Sequence, residues 1–329
     1  MKNVLTREKQ ILAENVVIVD GFSSSGKSLI CSAICSLDRV ENWQIDYSYE
    51  QLATLYYLEK ISFKSIQTIL ETRSDELIYN LFISRNVNFR KTDMTSPYFN
   101  DLEDRYIGRL KADEGDKVVK EILKVKPILP LHIHFIFGYS NILLKSFYSK
   151  LNLYIVILRD PFYLINRWDE GNWIKRMGLD QRDFRLCIKY ENHIIPWYAK
   201  EYATEYVEAN DAEKCVLTIY NLYKRIFLMY ENLTIEEKNK MMIIFFDEFV
   251  QNPDVYVDKI CSELNTKRSN IFHKFLNKSN LPRKVTDPIT SIENFQFKYS
   301  NKLRPVYMKL ILELNDKYIE FYNLIRSRK

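Results

Sequence analysis

The segment Gly21-x-x-x-x-Gly26-Lys27-Ser28 constrains this chain more than any other stretch. Val16-Val17-Ile18-Val19 precede it and read as a buried parallel strand; Leu29 to Leu37 follow it and read as a helix. Strand, glycine-bounded loop and helix in that order describe a phosphate-binding turn. Glycines let the backbone curl without Cβ clashes, so successive N–H groups can face one anion. The following helix adds the positive end of its dipole. Lys27 supplies a mobile cation, and Ser28 a hydroxyl for Mg²⁺ or a phosphate oxygen. Only 7 glycines occur in 329 residues, so two at the required positions argue against a chance match.

Composition narrows the partners. At 47% hydrophobic the chain has ample core for a large α/β domain. A net charge of +5 suits a small anionic ligand and is too mild to point to nucleic acid. The cysteines (Cys31, Cys35, Cys187, Cys215, Cys261) are odd in number and form no Cys-x-x-Cys pair, so neither a zinc site nor a disulfide framework is indicated. The N-terminal residues lack the apolar core of a signal peptide. No apolar run approaches the ~20 residues that span a bilayer. The expectation is a cytoplasmic protein with no transmembrane segment.

The apolar pattern predicts a single P-loop α/β domain over 1–329, a doubly wound parallel sheet flanked by helices. Strands are expected at 16–19, 128–137, 153–158 and 241–246, with helical insertions at about 46–125 and 162–232. A helix is expected at 141–150, another from Pro253, and a last one from about 305 to 325. Residues 278–303 read as irregular, with a basic pair at Arg283-Lys284. Such sheets bind ligands at the carboxyl ends of their strands. That edge gathers the 21–28 loop, the histidines of the second strand, Arg159 and Asp247-Glu248.

Arg159-Asp160-Pro161 follows the third strand directly. A guanidinium there suits a phosphate monoester. The plainer reading is a helix start, with Asp160 as cap, Pro161 in the first turn and Arg159 in a surface ion pair. His132 and His134 lie two apart, and at most one of them is expected to face the crevice. Asp46 and Glu50 lie four apart, on one face if helical. Trp168 and Trp173 read as packing residues.

Three segments together resemble the sulfotransferase family. The loop, Gly-Phe-Ser-Ser-Ser-Gly-Lys-Ser-Leu-Ile, is similar to that family's Gly-x-Pro-(Arg/Lys)-Ser-Gly-Thr-(Ser/Thr)-Leu-Leu. Ile155 to Pro161 looks like its strand ending in Arg-Asp-Pro. Ile243 to Phe249, followed by Asn252-Pro253, looks like its later strand. The three occur in family order within residues 16–260. The resemblance implies 3′-phosphoadenosine 5′-phosphosulfate as donor, cradled by Gly21, Phe22, Ser23, Ser24, Ser25, Gly26, Lys27, Ser28 and Leu29. It places Arg159 on the 3′-phosphate. Arg167 stands where the family has a serine for the same phosphate. Lys27 would stabilise charge on the leaving phosphate. A base, either His134 or one of Asp46 and Glu50, would take the proton of an acceptor hydroxyl, with carbohydrates among the family's acceptors.

The chain departs from the family at Arg167 and at Lys27, which stands where the family has threonine, with Ser24 in the place of its Arg or Lys. Lys27-Ser28 also matches the nucleoside-triphosphate form of the loop. An ATP- and Mg²⁺-dependent kinase of a small molecule or glycan is therefore the alternative, with Asp247 or Glu248 orienting Mg²⁺ through water. A nucleotide-binding protein without catalysis is the third reading.

Overall fold

The computed structural model describes residues 11–112, 114–285 and 291–327, so the N-terminal segment examined for a signal peptide lies outside the described residues. The first strand, β1 (Asn15–Gly21), runs into α1 (Lys27–Cys35) through the glycine loop. Four helices follow without a strand: α2 (Tyr47–Tyr57), α3 (Phe63–Phe82), α4 (Glu103–Arg109) and α5 (Asp116–Val125). Then come β2 (Ile128–His132), α6 (Ile142–Ser146), β3 (Leu151–Leu158), α7 (Pro161–Glu170) and α8 (Trp173–Arg176). Strands β4 (Cys187–Tyr190) and β5 (His193–Pro196) precede a 3₁₀ turn at Trp197–Tyr202, α9 (Ala203–Glu208), α10 (Asp211–Asn232) and α11 (Ile235–Asn239). The chain closes with β6 (Met241–Phe245), α12 (Phe246–Gln251), α13 (Pro253–Glu263), α14 (Phe272–Lys278), α15 (Ile292–Tyr299) and α16 (Pro305–Arg326).

The main sheet has the order β2-β1-β3-β6, all parallel. Val16 to Val19 are fully buried, which is why the central strand carries β-branched residues on both faces. Helices α7, α10 and α16 pack together, and α1 packs with α13 and α14, so helical layers flank the sheet. From β1 the chain moves to β2 on one side, then crosses to β3 on the other. The loops after β1 and β3 therefore diverge, and the crevice between them is the topological switch point.

Four expectations need correction. The second strand ends at His132, not Phe137. Ile133, Phe135, Ile136 and Phe137 are buried like strand residues, but Phe135 takes a left-handed φ of 42° and the chain leaves the sheet. The 162–232 stretch is not wholly helical: β4 and β5 form an antiparallel hairpin whose polar, exposed tip hides the strand pattern. The helix expected at 141–150 shortens to α6, five residues long. Within 278–303, α15 forms on just two buried residues, Phe295 and Tyr299, one helical turn apart.

Candidate active site

The glycine loop is held from behind. Its carbonyls at Phe22, Ser23 and Ser24 accept from three donors in turn: Lys27 Nζ (2.8 Å), Trp168 Nε1 (2.9 Å) and Arg159 Nη1 (3.2 Å). The donors come from α1, from α7 and from the tip of β3. With its carbonyls so engaged, the loop keeps its N–H groups for other use. Among the described residues the N–H groups of Ser23, Ser24, Gly26, Lys27 and Ser28 donate to nothing. Gly26 brings no side chain to cap α1, so the helix's first donors stay open as well.

Two positions fix the curl. Ser24 takes a left-handed φ of 70°, an uncommon conformation for a residue with a Cβ. Gly26 has φ 97°, and a Cβ there would lie 2.2 Å from the Phe246 ring. Phe246, the first residue of α12, thus closes one side of the turn. It also forms half of a clamp: the Arg159 guanidinium lies 3.4 Å from the Tyr163 ring centroid and 4.1 Å from that of Phe246. Asp20 anchors the loop's start, accepting from the N–H of Gly21 (2.6 Å), the N–H of Phe137 (2.8 Å) and the Tyr154 hydroxyl (2.9 Å). Burial outweighs these bonds and raises its carboxyl to about 6.

A second cluster faces Lys27. Glu50 Oε1 accepts from the His134 backbone N–H (3.0 Å) and lies 2.6 Å from His134 Nδ1. Glu50 is buried and His134 half-buried, at 17% exposure against 9% for Glu50. Burial pushes the Glu50 carboxyl up to about 8, against the pull of Lys27 and Arg185. Burial and the charge on Lys27 push His134 well below 6.5. Near neutrality the two therefore share one proton as a neutral hydrogen-bonded pair rather than an ion pair. Burial also pulls Lys27 down to about 8, opposed by Asp20 and Glu50.

His132 and His134 lie on one side of the chain, but only His134 meets Glu50. Positions two apart on an extended chain share a side, and the two rings stand edge to face with centroids 4.8 Å apart. His132 packs on Trp43 and is buried, with Nδ1 unpaired among the described residues. Asp46 is spent elsewhere: it caps α2 through the Ser48 N–H (3.0 Å) and pairs with Arg73 (2.8 Å). Arg167 lies exposed on α7, and its side chain makes no hydrogen bond among the described residues. Asp160 caps α7 through the Tyr163 N–H (2.9 Å). Glu248 binds Tyr256, Tyr322 (2.5 Å) and Arg326 (3.2 Å), which ties it to α13 and α16. Arg283 bonds Ser279 O (2.5 Å) at the end of α14.

Ser28 and Leu29 line a cleft of about 280 Å³ with Met94, Phe99, Phe275 and Lys278. Its walls are largely apolar, and it opens beside the first turn of α1. Two features escaped sequence reading. Trp168 is both packed and polar, a role the usual need of a buried indole N–H for an acceptor could have suggested. Arg185 enters from a segment 135 positions beyond Glu50 with no local signature.

No protein-family model and no curated protein sequence matches the chain. Among solved structures it is similar to the sulfotransferase domain from the curacin biosynthetic pathway, at 11% identity over 91% of this chain and 96% of that one, TM-score 0.44. It is also similar to the sulfotransferase domain of the Synechococcus PCC 7002 olefin synthase (10%, covering 96% and 98%, TM-score 0.39). A third is sulfotransferase STF9 from Mycobacterium avium (13%, covering 88% and 76%, TM-score 0.42). Likeness at this level does not fix a function, and the reading below rests on this chain's own residues.

Proposed function

We propose that this chain is a sulfotransferase that moves a sulfuryl group from 3′-phosphoadenosine 5′-phosphosulfate to an acceptor hydroxyl, with a carbohydrate as the acceptor class to test first. The observation that carries the reading is the braced loop: free N–H groups for one anionic group, with the Arg159 guanidinium bonded to the same turn. A donor with phosphates at both 5′ and 3′ positions needs two such cationic sites, and ATP needs one. The apolar cleft beside Leu29 and Phe275 offers a place for the donor's adenine ring.

In this reading the 5′-phosphosulfate lies on the N–H groups of Ser23, Ser24, Gly26, Lys27 and Ser28, and Arg159 reaches the 3′-phosphate. Glu50 and His134 supply the base. With Glu50 ionised, His134 Nδ1–H donates to Oε1 and leaves Nε2 free to accept the acceptor's proton. The acceptor oxygen bonds to sulfur as the bond from sulfur to the 5′-phosphate oxygen breaks. Lys27 offsets the charge that develops on the leaving phosphate. The products are a sulfate ester and adenosine 3′,5′-bisphosphate. We assign Arg167 no contact with the donor. The domain is read as one unit over 1–329 with its helical insertions.

The sequence Lys27-Ser28 favours a second reading, an ATP- and Mg²⁺-dependent kinase. Glu248 is a poor candidate for Mg²⁺ in it, because its oxygens already bind Tyr256, Tyr322 and Arg326. Calorimetry separates the two. The first reading expects tight binding of adenosine 3′,5′-bisphosphate, weakened roughly 10- to 100-fold in Arg159→Ala, the size of a charge-assisted contact. Mg²⁺-dependent ATP binding that Ser28→Ala abolishes, with no bisphosphate binding, would establish the second instead.

A further inference from the structure

We propose that Arg185 is a further cationic contact of the transfer centre and binds the anionic group in transit alongside Lys27. The inference rests on the sulfuryl-transfer reading and adds a residue from outside the phosphate loop.

Arg185 lies between α8 and β4, in the insertion that joins β3 to β6. Asp183 grips its guanidinium as a fork, accepting from Nε (2.7 Å) and Nη2 (2.5 Å). Both side chains are buried, 11% exposed for Arg185 and 8% for Asp183. The fork leaves the other terminal nitrogen unused. Nη1 is buried and has no hydrogen-bond partner among the described residues. A buried guanidinium nitrogen without an acceptor is costly, and a chain keeps one where a ligand supplies the acceptor.

The position of this nitrogen follows from how its segment docks. Phe184 is held on α2 at two points: its carbonyl accepts from Gln51 Nε2 (2.9 Å), and its ring lies 5.4 Å from that of Tyr47. Tyr47, Glu50 and Gln51 share one helix face, so Glu50 falls between the two anchors. Arg185 is next to Phe184, so the chain carries it to within one residue of the α2 face that bears Glu50. Its charge acts on Lys27, on Glu50 and on His134 alike. Two cations from unrelated segments thus converge on the acid–base pair, one fixed by the loop carbonyl of Phe22 and one by Asp183. A sulfuryl group between donor and acceptor carries its charge on three oxygens, and two cations approaching from different directions can bind it as neither could alone.

Calorimetric titration with two ligands isolates this role, because adenosine 3′,5′-bisphosphate lacks the group in transit and the phosphosulfate donor carries it. Arg185→Gln should bind the bisphosphate within twofold of the unaltered chain and the full donor at least tenfold more weakly. Arg185→Lys, which keeps the charge without the fork, should recover part of the loss and guards against a variant that fails to fold. Equal weakening of both ligands, or of neither, would show Arg185 to be a brace for the 183–187 segment and overturn the assignment. Should the unaltered chain bind neither ligand, the sulfuryl-transfer reading falls and takes this inference with it. That failure is seen before any variant is made.

Discussion

The two walls of the candidate site are built on opposite principles. The loop wall presents backbone: donors at Lys27, Trp168 and Arg159 take its carbonyls, and its N–H groups carry a fixed partial charge that no pH change alters. The opposite wall presents side chains alone. Glu50, His134 and Arg185 come from three distant segments, and burial sets the charge states of Glu50 and His134. The difference separates holding from reacting. Changes in the loop should alter affinity for the bisphosphate, and changes opposite it should spare the bisphosphate and alter donor binding, turnover and its pH dependence.

The sharpest expected effect is on the reacting wall. Glu50→Gln should lower turnover by about 10²–10⁴-fold, the range for loss of general-base function, while the dissociation constant for the bisphosphate stays within twofold. In the unaltered chain the rate should rise toward pH 8 as Glu50 ionises and fall above it as Lys27, also near 8, loses its charge. The variant should lose that rise. Stability follows the same group with a definite sign. Folded Glu50 keeps its proton to about 8, whereas the unfolded group releases it near 4.5. The contribution is therefore fully present below pH 4.5, declines between there and about 8, and is flat above. Denaturant melts of Glu50→Gln should lack that decline. A variant with unchanged turnover and melts would remove the acid–base pair from the account.

On the holding wall, Gly26→Ala should have the largest effect. Its Cβ would meet the Phe246 ring at 2.2 Å in a left-handed backbone, so relief requires Phe246 to move and the Arg159 clamp with it. Strain and overpacking of this kind cost roughly 2–4 kcal/mol, and calorimetry should find no nucleotide binding. Retained binding would mean that the loop does not need this curl. Trp168→Phe tests the brace more finely. It keeps a smaller aromatic ring and removes the bond to Ser23 O, so affinity should fall by only about fivefold, near 1 kcal/mol. A loss as large as that of Gly26→Ala would show that the brace, rather than the glycine, sets the loop's shape.

The same division explains what was legible in sequence. The turn of the holding wall needs a strand, two glycines, a lysine and a helix start, all within residues 16–35, so local pattern suffices for it, though not for its brace at Trp168. The reacting wall does not. Asp46 and Glu50 look alike in sequence, yet one caps α2 and the other turns inward to His134. Asp46-Tyr47-Ser48 at a helix start already carries a capping pattern, which could have singled out Glu50. The β2 overrun has a different cause. Ile133, Phe135 and Phe137 are as buried as strand residues, and hydrophobicity alone does not report that Phe137 N–H goes to Asp20 instead of a neighbouring strand. Arg185 shows the limit most plainly, since nothing near it in sequence signals Glu50 or Lys27.

A crystal structure of the chain with adenosine 3′,5′-bisphosphate bound would test the division between the walls most directly. The account predicts the 5′-phosphate on the N–H groups of Ser23, Ser24, Gly26, Lys27 and Ser28, the 3′-phosphate within hydrogen-bond reach of Arg159, and the adenine ring beside Leu29 and Phe275. A nucleotide seated away from this turn, or one whose 3′-phosphate lies remote from Arg159, would contradict it.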